Sequence, residues 1–265
     1  MKIILLGCGG SGGVPLLGGD DGHGAWGACD PAEPRNRRTR SSIVIQAADG
    51  QTILVDAGPD LRAQLLEHGI GRIDAVLLTH AHADHVMGLD ELRIINRIMG
   101  KALPVYGTAQ TLSDVTSRFE YAFRPPTLGF FRPALEAVIV EPGQVVHLAG
   151  LDVRLFSQDH KVMETLGLRI GSFGYSTDVV EMPDAGFDAL AGVQDWVVGC
   201  FQRAPHPVHA HVEKAIDWAC RLGAARTVLT HMGPDLDWAW MRQSLPEGVE
   251  PGYDGMVLES PQDGA

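Results

Sequence analysis

The chain has 265 residues, 45% of them hydrophobic, which is ample apolar material for one large core, so a single folded unit over residues 1–265 is expected. With 33 acidic against 21 basic residues its formal net charge is -12, which opposes attraction to a nucleic-acid backbone and favours a small substrate. Cys8, Cys29, Cys200 and Cys220 lack the close spacing of a zinc knuckle or redox motif, and the opening MKIILLGCGG is too briefly apolar for a signal peptide or membrane span, so reduced thiols and a cytoplasmic location are expected.

In chain order, KIILLG, SSIVIQ, TILVDAG and DAVLLTH are short apolar runs bounded by Gly, Asp or polar residues, and they predict strands. GCGGSG, residues 7–12, fits the dinucleotide-binding pattern. The glycines and proline that follow, from Gly13 to Gly24, do not permit the helix such a motif must open, so the segment predicts a turn or a backbone loop lining the rim of a site. RNRRTR then places Arg35, Arg37, Arg38 and Arg40 together, either as a solvated loop or as a clamp for phosphate through forked guanidinium contacts.

DLRAQLLEHG predicts a helix with Leu61, Leu65 and Leu66 at helical spacing, Asp60 as N-cap and Gly69 as stop. The stretch from His85 to Met99 repeats the pattern with Leu89, Leu92, Ile95 and Ile98. FEYAFRPPTLGFFRPA carries Phe119, Tyr121, Phe123, Phe130 and Phe131, suited to core packing, to a homodimer contact or to covering a substrate. Strands resume with EAVIVEP, QVVHLAG, LDVRLFSQDH, GLRIGSFGYSTD and DWVVGC, and a helix from His211 to Leu222 leads into RTVLTH. VLLTH and TVLTH end a strand with the same Thr-His in both halves of the chain, a hint of two related halves.

The chemistry concentrates in THAHADH. His80 and His82 lie two apart in extended backbone leaving a strand, so their imidazoles point the same way and can grip one ion. Asp84 and His85 fall where the chain turns into the next helix and point elsewhere, toward a second ion. So many titratable groups in so few residues are costly to crowd without a metal. Asp56, Thr79 and Thr230 are either groups that orient such ligands by hydrogen bonds or ordinary turn and strand-end residues.

The H-x-H-x-D-H pattern behind an apolar strand resembles the hallmark of the metallo-β-lactamase fold hydrolases, and this resemblance implies an α/β fold, a four-layer αββα sandwich with the site at one edge. It also implies a later histidine, a bridging aspartate and a final histidine at strand ends, which matches His160, Asp178 and His231. One ion would then take His80, His82, His160 and Asp178, and the other Asp84, His85, His231 and Asp178.

GCGGSGGVP with GACDPAEPRNRRTRSSIVI resembles the branch containing the phosphoribosyl cyclic phosphate phosphodiesterase of phosphonate breakdown and, more distantly, ribonuclease Z. Within HPVHAHVEKA, His209 matches that branch's non-ligand catalytic histidine, with His206 and His211 as rivals. Only Cys29, with His23 nearby, stands in the loop where relatives carry several cysteines for a structural zinc, so no third metal is expected; nor is there a long basic insertion to serve as a transfer-RNA arm.

The implied activity is hydrolysis of a small phosphodiester, cyclic or nucleotide-like, by hydroxide held between two divalent ions, Zn²⁺ or Mn²⁺, with Asp84 also orienting the hydroxide and His209 as general acid. A thioesterase or lactonase of the same fold, glyoxalase-like, is the alternative. A non-catalytic binding member is disfavoured by the intact set of donors.

Overall fold

The computed structural model describes residues 1–125 and 134–261. The first sheet draws on β1 (Lys2–Gly7), β2 (Ser42–Gln46), β3 (Thr52–Val55), β4 (Ala75–Leu77), β5 (Leu103–Gly107) and β6 (Leu135–Ile139). The second holds β7 (Val145–Leu148), β8 (Leu151–Asp159), β9 (Glu164–Ile170), β10 (Phe173–Ser176), β11 (Asp195–Gly199), β12 (Arg226–Thr230) and β13 (Val249–Pro251), and β14 (Val257–Glu259) returns to the first. The sheet orders are β14-β1-β2-β3-β4-β5-β6 and β13-β12-β11-β10-β9-β8-β7.

Alternation along the strands builds three apolar layers. Ile3 and Leu5 of β1, Ile43 and Ile45 of β2, and Leu166 and Leu168 of β9 face into the space between the sheets. The alternate residues Ile4, Leu6 and Val44 face outward beneath α1 (Leu61–Glu67), α2 (Ala83–Val86), α3 (Leu92–Met99), α4 (Ala109–Arg118) and α5 (Glu120–Phe123). On the far side α6 (Asp184–Leu190), α7 (Val212–Leu222) and α8 (Trp238–Ser244) cover Trp196, Val198 and Leu229. Layers therefore run helix, sheet, sheet, helix, the expected αββα sandwich.

Each sheet passes from antiparallel to parallel pairing at β3 and at β10. In both, the parallel set continues over three further strands, β4 to β6 and β11 to β13. Two related halves are thus visible in the topology, but not through the Thr-His phrases: VLLTH ends the second strand of one parallel set and TVLTH the third of the other. The strands that carry later chemistry, β3, β4, β8, β10, β11 and β12, all end at one edge of the sandwich, where loops are free to vary.

Local structure departs from expectation at several points. The helix read from His85 to Met99 is α2, a 3₁₀ turn (Leu89–Glu91) and α3, and Ile98 faces solvent. GLRIGSFGYSTD is not one strand but the β9–β10 hairpin. Asp60 stands at the N-cap of α1 without capping it, because its carboxylate instead accepts from the Arg40 amide at 2.9 Å and pairs with the Arg40 guanidinium. Leu66 is exposed. β1 is antiparallel to both neighbours and followed by loop, so GCGGSG opens no helix and is not a dinucleotide motif. Phe119 is buried and Phe123 packs against the outer core, whereas Phe130 and Phe131 lie outside the described residues. No helix among the described residues is long and apolar enough to cross a membrane.

Candidate metal centre

Every side chain singled out around THAHADH arrives at the same edge. Asp56 follows β3, Thr79 and His80 follow β4, and His82 caps α2, on which Asp84 and His85 sit. From the second sheet come His160 after β8, Asp178 after β10 and His231 after β12. Asp56, Asp178 and His231 have φ of 62°, 48° and 54°, left-handed corners that turn these side chains off the strand line and back into the site.

One donor atom each from His80, His82, His160 and Asp178 falls within a 4.8 Å group, as does one each from Asp84, His85 and His231. Asp178 stands between them. Its Oδ1 is 3.9 Å from His80 Nε2 and 3.7 Å from His160 Nε2, while its Oδ2 is 3.0 Å from His85 Nε2 and 3.3 Å from His231 Nε2. Asp84 Oδ2 completes the second group, 3.3 Å from His85 Nε2 and 3.4 Å from His231 Nε2. Such spacings suit ligands that each sit roughly 2.0–2.2 Å from a common ion.

Hydrogen bonds fix which nitrogen each ring presents. Asp56 Oδ2 accepts from Thr79 Oγ1 at 2.7 Å, leaving that hydroxyl to accept from His80 Nδ1 at 2.9 Å. The same carboxylate oxygen accepts from His85 Nδ1 at 2.7 Å, and the Val208 carbonyl accepts from His160 Nδ1, also at 2.7 Å. All three imidazoles therefore turn an Nε2 lone pair inward, and those of His80 and His85 are buried with no hydrogen-bond partner. Orphaned acceptors converging on carboxylates are the signature of a cation site. Asp56 and Thr79 do orient donors, whereas Thr230 Oγ1 makes no hydrogen bond among the described residues.

Electrostatics agree with a divalent cation. Burial would raise the Asp178 carboxyl, but the imidazoles of His231 and His85 hold it well below the usual carboxylate range. Asp84 is likewise held low, against its burial, by His231 and His85. Burial pushes His80 down, while at His85 the carboxylates Asp178 and Asp56 outweigh burial and raise the imidazole above its ordinary range, the same negative field that favours a cation at its Nε2. Nitrogen and carboxylate donors without thiolate fit zinc, manganese or iron.

His209 stands beside both groups, its Nδ1 3.8 Å from Asp178 Oδ1 and its ring 4.7 Å from His160 and 4.9 Å from His231. His206 lies behind it at 5.1 Å, and His211 caps α7 and pairs through its backbone with Gln202. Burial first, then the charge of His231, push the His209 imidazole down to about 3.

Neighbours not anticipated from sequence shape the centre. Arg118, at the end of α4, donates to the carbonyl of Ala81 and so pins the backbone between His80 and His82. Phe201 stacks on His209 at 5.1 Å. Gly58 allows backbone to pass backbone, because a Cβ there would lie 2.3 Å from the Asp84 carbonyl.

The arginine cluster divides by role. Arg35 pairs with Glu33 and lies over Trp238, and Arg37 lies over Trp26. Arg38, only 2% exposed, is spent internally: it donates to the Gly233 carbonyl at 3.2 Å, the Leu236 carbonyl at 2.6 Å and Asn36 Oδ1 at 3.2 Å, tying its loop to the segment that follows His231. Arg38→Met should therefore cost about 3 kcal/mol or more through stranded carbonyls. Urea unfolding would show this as a lower midpoint at unchanged slope.

A model of the beta-lactamase superfamily domain matches residues 51–232. The chain is 35% identical over 262 residues to an octanoyltransferase of Porphyromonas gingivalis, covering 97% of this chain and 51% of that protein. It is 33% identical over 147 residues to a ribonuclease Z of Bradyrhizobium, covering 52% of this chain and 46% of that protein. It thus spans about half the length of these curated relatives. Among solved structures, a diphosphatase from the PhnP family superposes with a TM-score of 0.88 at 33% identity, covering 98% of both chains.

Proposed function

We propose that this chain, which belongs to the beta-lactamase superfamily and carries its metallo-β-lactamase fold, hydrolyses a small phosphodiester, cyclic or nucleotide-like, with two divalent ions, Zn²⁺ or Mn²⁺. The observation that carries the reading is Asp178, whose two oxygens face two separate groups of donors, with His209 alongside. His80, His82, His160 and Asp178 would hold one ion, and Asp84, His85, His231 and Asp178 the other.

When bound, such a pair supplies Lewis acidity, acidifying water and neutralising charge on a phosphoryl group. The residues do the rest. Asp56, through Thr79 and directly, keeps the rings of His80 and His85 in register. Asp84 combines its donor role with an 11% exposed side chain, so its carboxylate can accept a hydrogen bond from the attacking water and aim it. Burial favours the neutral form of His209; a bound phosphodiester anion would favour the protonated form, and His209 would then supply a proton to the leaving alkoxide.

The likeness to a diphosphatase favours a second reading for the same site, cleavage of a phosphoanhydride. An acyl substrate, thioester or lactone, has behind it only the name of the octanoyltransferase among the relatives described above, a protein of which this chain spans 51%.

The deciding assay offers bis(p-nitrophenyl) phosphate, a thioester and a lactone to protein of measured metal content. Phosphodiester turnover that is lost on chelation and restored by zinc or manganese is expected. Acyl hydrolysis alone, with metal bound, would overturn the proposal.

A further inference from the structure

After Arg35, Arg37 and Arg38 are accounted for, Arg40 remains. It stands just before β2, at the same edge as the donor groups. Its side chain is 26% exposed, and its buried Nε lies 2.8 Å from Asp60 Oδ2, an ion pair without hydrogen-bond geometry. Neither terminal nitrogen has a hydrogen-bond partner among the described residues. In a protein of net charge -12, that forked cationic edge is left free.

What it faces is the glycine turn. Gly13 donates to the Gly10 carbonyl at 2.9 Å, closing a turn over Ser11 and Gly12, whose own amides find no acceptor among the described residues. The guanidinium lies against this turn: a Cβ on Gly13 would be in ordinary contact with Arg40 Nη1, at 3.5 Å. The other side of the turn borders the donors: a Cβ on Gly10 would stand 3.5 Å from His231 Cε1. The root of Arg40 borders Asp84, because a Cβ on Gly58 would meet both the Asp84 carbonyl and, at 3.4 Å, Arg40 Cβ. Arg40 and the turn therefore flank the Asp84, His85 and His231 side of the centre.

We infer that Arg40, with the amides of Ser11 and Gly12, forms a second anion subsite that takes a non-reacting phosphate of the substrate. A guanidinium fork beside free backbone amides matches the oxygens of a phosphate. The inference rests on the phosphoryl-substrate reading above and narrows it: preferred substrates carry a second phosphate next to the bond that breaks, as a diphosphate diester does.

Two measurements test this on the metal-loaded protein. In the first, kcat/KM for a dinucleoside diphosphate is divided by that for bis(p-nitrophenyl) phosphate, which has a single phosphorus. Arg40→Gln should lower the ratio by about 10-fold or more, mainly through KM, and Arg40→Lys, which keeps charge but loses the fork, by less. In the second, calorimetric titration with inorganic phosphate, metal content being measured before and after, should show two phosphates bound per wild-type chain and one in Arg40→Gln. An unchanged ratio with unchanged stoichiometry would overturn the subsite while leaving the phosphodiesterase reading intact. If the wild type cleaves neither phosphorus substrate, that reading fails, and the phosphate stoichiometry alone decides the subsite.

Discussion

Asp178→Asn should lose both ions, measured by elemental analysis, and phosphodiester turnover should fall by about 10³-fold or more. The oxygens of Asp178 serve different donor groups, so neutralising one side chain weakens both sites together, unlike the loss of any single histidine. Removing the ions forfeits several kcal/mol of charge stabilisation in the transition state, and each ~1.4 kcal/mol is a factor of ten in rate. Asparagine is the informative replacement because it is at home in the left-handed backbone at position 178, where φ is 48°. Alanine would add backbone strain to the loss of charge. Full metal content in Asp178→Asn would show that the two groups are held independently and would remove the central support for a paired centre.

His209→Ala should behave in the opposite way, keeping its metal and losing turnover. His209 reaches Asp178 and flanks His160 and His231 without completing either main donor group, so its removal leaves the ligand framework standing. As a general acid it contributes roughly 10² to 10⁴-fold. That loss should depend on the leaving group: large for an alkyl diester, whose alkoxide needs a proton, and small for bis(p-nitrophenyl) phosphate, whose phenolate leaves unaided. A loss of equal size on both would assign His209 to stabilising charge on the phosphoryl group. Unchanged turnover on the alkyl diester would pass the acid role to His206, His211 or water.

Much of this was legible in the chain. Strands with apolar residues on both faces announce a sheet buried on both sides, and β1 matches KIILLG residue for residue. His80, His82, Asp84 and His85 could be divided between two sites from spacing alone, because extended backbone gives way to helix between them. His160, Asp178 and His231 could not, since a polar residue at a strand end is ordinary until the fold brings three such ends together.

The arginines show where sequence reasoning stops. Arg38 and Arg40 lie two apart in one run, yet one is buried under carbonyls 195 and 198 residues away and the other faces a glycine turn. Burial set by partners so distant leaves no local mark. Asp60 carries the same lesson, because the cap its position promised was outcompeted by a guanidinium from another loop. Arg118 leaves no signal at all, acting through a backbone carbonyl rather than through a motif.

The donors are also divided between the two sheets. The first supplies His80, His82, Asp84 and His85, the second His160, Asp178 and His231, so neither half alone brings more than two donors to either group. The complete set of donors therefore exists only once the two halves have docked face to face, and its contacts join residues as far apart as Asp84 and His231, 147 positions along the chain. Metal uptake during refolding would report that docking.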